Sequence, residues 1–181
     1  MLKWKLEMIM NGLKVMCMKM EHLVFFDSVS FLPCPLRKLP EAFGLTARKS
    51  WYLHYFNTEE NLDFVGPIPD VSYYGVNEMG EGERREIFAW YESQKSETIF
   101  DNRRVLESYC QDDVTLLRKA CKVFRREFMS IGNLEVFLEK IIIASACKKV
   151  LRKRFLQPDT IGLIPTRGYT CNHNYSKNTL I

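Results

Sequence analysis

Leu6-Glu7-Met8-Ile9-Met10-Asn11-Gly12-Leu13-Lys14-Val15-Met16-Cys17-Met18-Lys19-Met20 stands near the start of the chain, and His22-Leu23-Val24-Phe25-Phe26 follows it. Two apolar-rich runs, 6–10 and 13–20, flank Asn11-Gly12. That dipeptide best tolerates the two positive φ angles of a type I′ hairpin turn. The third run, 22–26, ends at Asp27. The stretch reads as a three-stranded β meander, with Met8, Met10, Met16, Met18 and Met20 as core filler.

Pro33 and Pro35 close the third strand, because proline cannot donate to the ladder. Leu36 to Phe43 makes a short helix that Gly44 stops at its C-cap. Residues 46–82 show few regular periods and carry Trp51, Tyr52, Tyr55 and Phe56, then Val65-Gly66-Pro67-Ile68-Pro69-Asp70. A loop this long in a compact domain is usually functional or wrapped over a partner. Glu83 to Ser93 reads as a helix, and Asn102 to Phe128 as a longer one. In the latter, Val105, Leu106, Tyr109, Val114, Leu116, Leu117, Ala120, Val123 and Phe124 follow the spacing of one buried face. Leu134 to Phe155 reads as one long helix or two shorter ones. Pro158 and the run from Ile161 to Pro165 mark a turn or short strand, and the tail beyond Tyr169 is polar. Strands first and helices after fit an α+β or α/β fold.

A length of 181 residues is about one domain's worth. With 46% hydrophobic and 27% charged residues, the composition is globular, neither disordered nor fibrous. No apolar run approaches the ~20 residues that cross a bilayer, and Lys3 and Lys5 lead into mixed residues in place of a signal peptide's apolar core. The expectation is an intracellular protein with no membrane partner. Six cysteines, at 17, 34, 110, 121, 147 and 171, form no Cys-x-x-Cys or Cys/His pairing. They read as reduced thiols, which speaks against a zinc site or a disulfide framework. Charge is partitioned: Tyr55 to Asp113 holds 14 acidic and 5 basic residues, while Arg118 to Arg154 holds 11 basic and 3 acidic. Such asymmetry points to a polyanion along the basic part, though two solvated helices produce the same counts.

Tyr109-Cys110-Gln111-Asp112-Asp113 is the most informative local pattern. On a helix, positions i and i+4 share a face, so Tyr109 and Asp113 place a phenol beside a carboxylate. In two-metal phosphodiester hydrolysis a carboxylate binds a divalent cation and a neighbouring hydroxyl orients the attacking water. On spacing alone, a half-buried tyrosine beside a solvated aspartate is the more ordinary reading.

Other segments, taken in order with this one, carry more. Phe26-Asp27-Ser28-Val29-Ser30-Phe31-Leu32-Pro33-Cys34-Pro35-Leu36, Arg48-Lys49-Ser50-Trp51-Tyr52 with His54-Tyr55-Phe56-Asn57-Thr58, Val65-Gly66-Pro67-Ile68-Pro69 and Trp90-Tyr91 precede Tyr109-x-x-x-Asp113. Ile143-Ala144-Ser145-Ala146-Cys147, Pro158-Asp159-Thr160-Ile161-Gly162 and Ile164-Pro165 through Gly168-Tyr169 follow it. In this order the chain resembles the exonuclease domain of protein-primed family B DNA polymerases, such as those of Maverick/Polinton mobile elements and the organellar and viral type B enzymes. The resemblance runs from about Gly12 to Ser176.

It implies a ribonuclease H-like fold, of which this chain would carry a part. Residues 1–128 would be the later part of the exonuclease domain. Residues 129–181 would be linker helices and the start of a polymerase domain. Asp113 would be the ligand of a Mg²⁺ cofactor, Tyr109 would position the hydrolytic water, and Lys49 would stabilise charge on the scissile phosphate. Ser28, Val29 and Leu32 fall on the motif that holds single-stranded DNA, with Val29 in place of the usual Leu. The implied partner is DNA, at the primer 3′ end, and a terminal protein primer for a full-length family member.

The first exonuclease motif, Asp-x-Glu, occurs nowhere in the sequence, and neither Phe26-Asp27 nor Phe100-Asp101 has the Asn of the second motif. One Asp cannot neutralise two divalent cations. Tyr-x-Asp-Thr and the other polymerase motifs are also missing. The expectation is a fragment of a DNA-directed DNA polymerase that is unstable and catalytically silent by itself. Three other readings compete with it. The basic stretch from Arg118 to Arg154 could be a non-catalytic nucleic-acid-binding module, or the chain could be a decayed mobile-element remnant or an interaction protein using the Trp51–Phe56 loop.

Overall fold

The computed structural model describes residues 6–47, 49–95, 99–160 and 162. The turn or strand expected over 161–165 and the polar tail lie almost wholly outside them. The fold is α+β: helices dominate, with two small antiparallel sheets.

The meander forms as read, with β1 (Leu6–Asn11), β2 (Lys14–Met20) and β3 (Leu23–Phe26) hydrogen-bonded in sequence order. Two details differ. Asn11 pairs with Lys14, which leaves Gly12 and Leu13 as the turn, and Gly12 alone has positive φ, at 59°. That sign pattern is the type II′ arrangement with Gly at the first central position, not type I′. Ile9 also pairs with Cys17 while Met10 pairs with Val15, so Met16 is an extra residue in β2, a β-bulge. The second difference is burial. Leu6, Met8, Ile9 and Met10 all lie between 43% and 53% exposed, and Met16, Met18 and Met20 are half-buried, so the methionines do not fill the core. Only Cys17 of the meander is fully buried: β2 and, through Phe26, the end of β3 lean on the rest of the molecule, with β1 left as an outer edge.

Asp27 then caps the Ser28–Ser30 turn by accepting from the Val29 amide. A 3₁₀ turn, Leu36–Lys38, runs into α1 (Leu39–Phe43), which ends at Gly44 with φ 59°. From His54 to Glu78 the backbone is a succession of single 3₁₀ turns, interrupted by β4 (Val65–Gly66). Helix α2 (Glu81–Gln94) follows, and β5 (Phe100–Asp101) pairs with β4.

Helix α3 (Asn102–Gly132) is the axis of the molecule. Asp101 caps it by accepting from the Arg104 amide at 3.1 Å. Asn102, fully buried, donates from its amide side chain to the Asn61 carbonyl at 2.9 Å and from its backbone to Phe64 at 3.0 Å. The helix runs one turn past the expected end at Phe128, because the residue that stops it is Asn133, left-handed at φ 45°. Beyond it come α4 (Val136–Glu139), α5 (Ile143–Val150) and one wide turn, Leu151–Phe155. The stretch read as one helix or two is thus two helices and a turn.

Two hydrophobic cores pack at opposite ends of α3. The first joins Phe31, Leu32 and Leu39 to Ala120 and Phe124 of α3 and to Leu134, Val136, Ala146 and Val150. Residues on both sides of position 128 share it. Its rings meet edge-on, with Phe31 5.0 Å from Phe137 and 6.2 Å from Phe124. The second core comprises Leu53, Phe56, Tyr74, Val76, Ile87, Tyr91 and Phe100, flanked by Trp51, Phe64, Trp90 and Val105. Among the described residues, no helix is long and apolar enough to cross a membrane.

Candidate functional site

Between the two cores, segment 49–53 lies along α3. Lys49 donates to Asp113 Oδ2 at 3.0 Å, and its Nζ lies 4.7 Å from the centre of the Tyr109 ring. Ser50 donates its hydroxyl to Asp112 Oδ2. Tyr52 stacks on Tyr109, ring centres 4.9 Å apart and planes 24° from parallel. The segment therefore runs antiparallel to α3, with 49 opposite 113 and 52 opposite 109. Asp112 and Asp113 are neighbours on the helix and diverge, so each takes a different residue of segment 49–53. The helical spacing that places Tyr109 and Asp113 on one face is what allows one ammonium to touch both.

Lys49 and Asp113 are half-buried, their side chains 26% and 23% exposed. Burial by itself pulls the Lys49 ammonium toward the neutral form, but polar contact with Tyr109 and Asp113 outweighs it and holds the pKa above that of an ordinary lysine. Lys49 is thus a fixed cation. Burial, with Cys110 and Tyr109 nearby, raises the Tyr52 hydroxyl, which stays protonated. Two polar atoms in this seam, Tyr52 Oη and Asp113 Oδ1, are buried and make no hydrogen bond. Buried polar atoms without partners are few in native proteins.

Two cavities flank the seam and share Lys49, Ser50, Trp51 and Glu86. The larger, about 880 Å³, lies between Arg37, Lys38 and Glu41 on one side and Tyr52, His54, Tyr74 and Glu83 on the other. An ion pair between Arg37 and Glu83 spans it. The second, about 740 Å³, lies between α2 and the first half of α3.

Of the residues singled out in the sequence, Lys49, Tyr109 and Asp113 come together although 64 positions separate the first from the last. Ser28, Val29 and Leu32 do not join them. They lie in the first core's region, where Leu32 is buried at 5% exposure, Ser28 is half-buried in its 3₁₀ turn and Val29 is 54% exposed. Ser50, Asp112 and Glu86 are site residues the sequence reading left unassigned, and Trp51 is one it placed only in a loop suited to an interaction protein. The adjacency of Lys49 to Ser50 and of Asp113 to Asp112 is the signal that could have found two of them.

The Mg²⁺ implied by the resemblance does not fit these residues. Asp113 is a single carboxylate already paired with Lys49, and no three His, Cys, Asp or Glu among the described residues converge to hold a metal.

Two curated fungal proteins match this chain. A "Probable DNA polymerase" of Podospora anserina is 23% identical over 142 residues, 78% of this chain and 11% of that protein. A "Probable DNA polymerase" of Neurospora intermedia is 25% identical over 147 residues, 80% of this chain and 15% of that protein. The chain is similar to proteins named as DNA polymerases. It spans a small part of their length, so the segment matched is a fraction of each relative. No family model and no solved structure matches it.

Proposed function

We propose that this chain is the later part of the 3′–5′ exonuclease region of a protein-primed family B DNA polymerase, leading into its polymerase domain, and that its seam holds single-stranded DNA. The observation that carries this is the meeting of Lys49, Tyr109 and Asp113 at the positions that the ordered motifs assign to them, in a chain whose relatives are named DNA polymerase. Lys49 is oriented by Asp113 and shielded by Tyr109, and it offers a phosphate a permanent positive charge. Hydrolysis requires carboxylates that the described residues do not bring to Asp113, so the chain alone binds DNA without cutting it. In this reading the α+β arrangement is a piece of a ribonuclease H-like domain, and Val29 is the residue of its segment exposed enough to reach the strand.

The test is to incubate the purified chain with a 3′-labelled single-stranded oligonucleotide at two salt concentrations, with and without Mg²⁺. Binding that weakens as salt rises, with no degradation, is expected. Absence of binding at low salt removes the reading. Mg²⁺-dependent degradation lost in Asp113→Ala would overturn the silent site.

A second reading has its own observation. Arg118, Lys119, Lys122 and Arg126 on α3, with Lys148, Arg152 and Arg154 beyond it, are exposed and make no ion pair among the described residues. A basic module without a cleft role would lose affinity when these are reversed in sign and keep it when Lys49 is changed.

A further inference from the structure

The cavity between α2 and α3 has walls set by helical spacing. Glu86, Ala89 and Trp90 stand at i, i+3 and i+4 on α2, and Val105, Ser108 and Tyr109 repeat that spacing on α3. Each wall has a small residue, Ala89 or Ser108, followed by a large ring, Trp90 or Tyr109. The small residues open the cleft and the rings frame it. Lys49, Ser50 and Trp51 close its remaining side. Trp90 is held from behind by an edge-on contact with Tyr74, ring centres 5.5 Å apart, so its position is fixed before anything binds. The volume, about 740 Å³, falls within the roughly 300–1,000 Å³ of small-molecule clefts.

We infer that this cleft is a slot for one unpaired nucleobase of single-stranded DNA, lying against the Trp51 and Trp90 rings with its adjoining phosphate at Lys49. This deepens the DNA reading above and rests on it. A flat aromatic ligand suits two half-buried indoles, because every base has a π-face and stacking on a ring is tolerant of sequence. A neighbouring cation suits the phosphate that every base carries along. Glu86 supplies the third element. Each of the four bases presents at least one N–H on its pairing edge, and a carboxylate accepts from any of them, so the slot takes any base without choosing among them. Pairing edges are free only in single strands.

The test compares a twelve-residue thymidine oligonucleotide with an equally charged twelve-residue strand of abasic sites, each titrated by fluorescence anisotropy against the full chain. The thymidine strand binds about tenfold tighter, as stacking one base on an aromatic ring yields. Ala89→Leu, which fills the slot from an exposed helical position outside both cores, brings the two affinities within about twofold. Equal affinity for the two strands in the unsubstituted chain overturns the slot while DNA binding through the backbone stands. A base preference that survives Ala89→Leu also overturns it, placing the stacking elsewhere. Thymidine monophosphate displacing the strand at micromolar concentration would make a free nucleotide the occupant and overturn the assignment to DNA. If neither strand binds at low salt, the DNA reading itself falls, and the slot with it.

Discussion

The two cores at either end of α3 are built by different means. The first is mainly a helix-packing core: α1, α3, α4 and α5 close around Phe31 and Leu32, and α3 supplies residues at helical intervals, as Ala120 and Phe124 are. The second is assembled from isolated 3₁₀ turns and one helix, with Phe56 touching Phe64, Tyr73 and Phe100 edge-on at 5.1 to 6.1 Å. Its order comes from ring contacts and from fixed points such as the Tyr91 hydroxyl donating to the Pro69 carbonyl at 3.1 Å. A core of regular helices can stand on its own geometry. A core of turns needs a wall, and α3 together with the β4–β5 pair supplies it. The site sits where the two kinds of packing join, which is where a side chain from a loop can be pinned to a rigid helix.

Truncating the centre of each core is the harshest test of that difference. Phe124→Ala should cost about 3–5 kcal/mol, since Phe124 is buried and contacts Phe31, Phe43, Phe128 and Phe137. Ile87→Ala, fully buried on α2, should cost about 2–5 kcal/mol. Denaturant unfolding followed by amide exchange reads both. Phe124→Ala should release the amides of α4 and α5 first, and Ile87→Ala those of residues 54–78. Release of both regions in either variant would mean a single cooperative core.

A gentler break lies inside the first core. A Cβ on Gly132 would fall 2.5 Å from Val150 Cγ2, a stiff β-branched side chain on a neighbouring helix. Gly132→Ala should therefore cost about 1–3 kcal/mol through overpacking, despite alanine's better helix propensity. Val150→Ala in the same chain should recover part of the loss. A thermal midpoint unchanged or raised by Gly132→Ala would refute the close approach.

Acid should separate the cores more mildly. Hydrogen bonds from Lys14, Arg125 and Lys149 hold the carboxyls of Asp27, Glu135 and Glu139 below their usual range. A carboxyl lowered in the folded state contributes stability that is complete above its unfolded pKa, near 4, and is lost as pH falls through the lowered folded value. Glu135 and Glu139 belong to the end of the first core, whereas beside the second Asp70 is lowered by hydrogen bonds from Ser72. Between about pH 5 and pH 2, exchange at α4 and α5 should accelerate before exchange at α2. The reverse order would contradict the assignment.

This contrast also explains what the sequence made legible. The spacing of Val105 through Phe124 foretold α3, and Asn-Gly with alternating apolar runs foretold the meander, because both are local periodic signals. The helix end was readable too, from Asn133 at the left-handed C′ position, though Phe128 looked like the last periodic residue. The second core left no such trace: Leu53, Phe56, Tyr74 and Phe100 follow neither period, and only the folded chain brings them together. Burial of the meander's methionines was inferred from their apolarity, which says nothing of whether another layer covers them. The contact of Lys49 with Asp113 crosses 64 residues, so no local pattern could show it, and only the ordered resemblance pointed there. Trp51 and Trp90, 39 positions apart in the sequence, fall in segments of that same resemblance, but nothing local told that they would line one cleft.

The central claim is that the seam presents Lys49 to a DNA phosphate while Asp113 holds it in place. Binding of a single-stranded oligonucleotide to the unsubstituted chain, Lys49→Met and Asp113→Asn, at low salt and in a metal-free buffer, tests it most directly. Lys49→Met should weaken binding about tenfold and lower the salt dependence by close to one phosphate contact. Asp113→Asn, which removes a competing negative charge, should bind at least as tightly as the unsubstituted chain. If Lys49→Met binds as well as the unsubstituted chain, the seam is not where the strand lies.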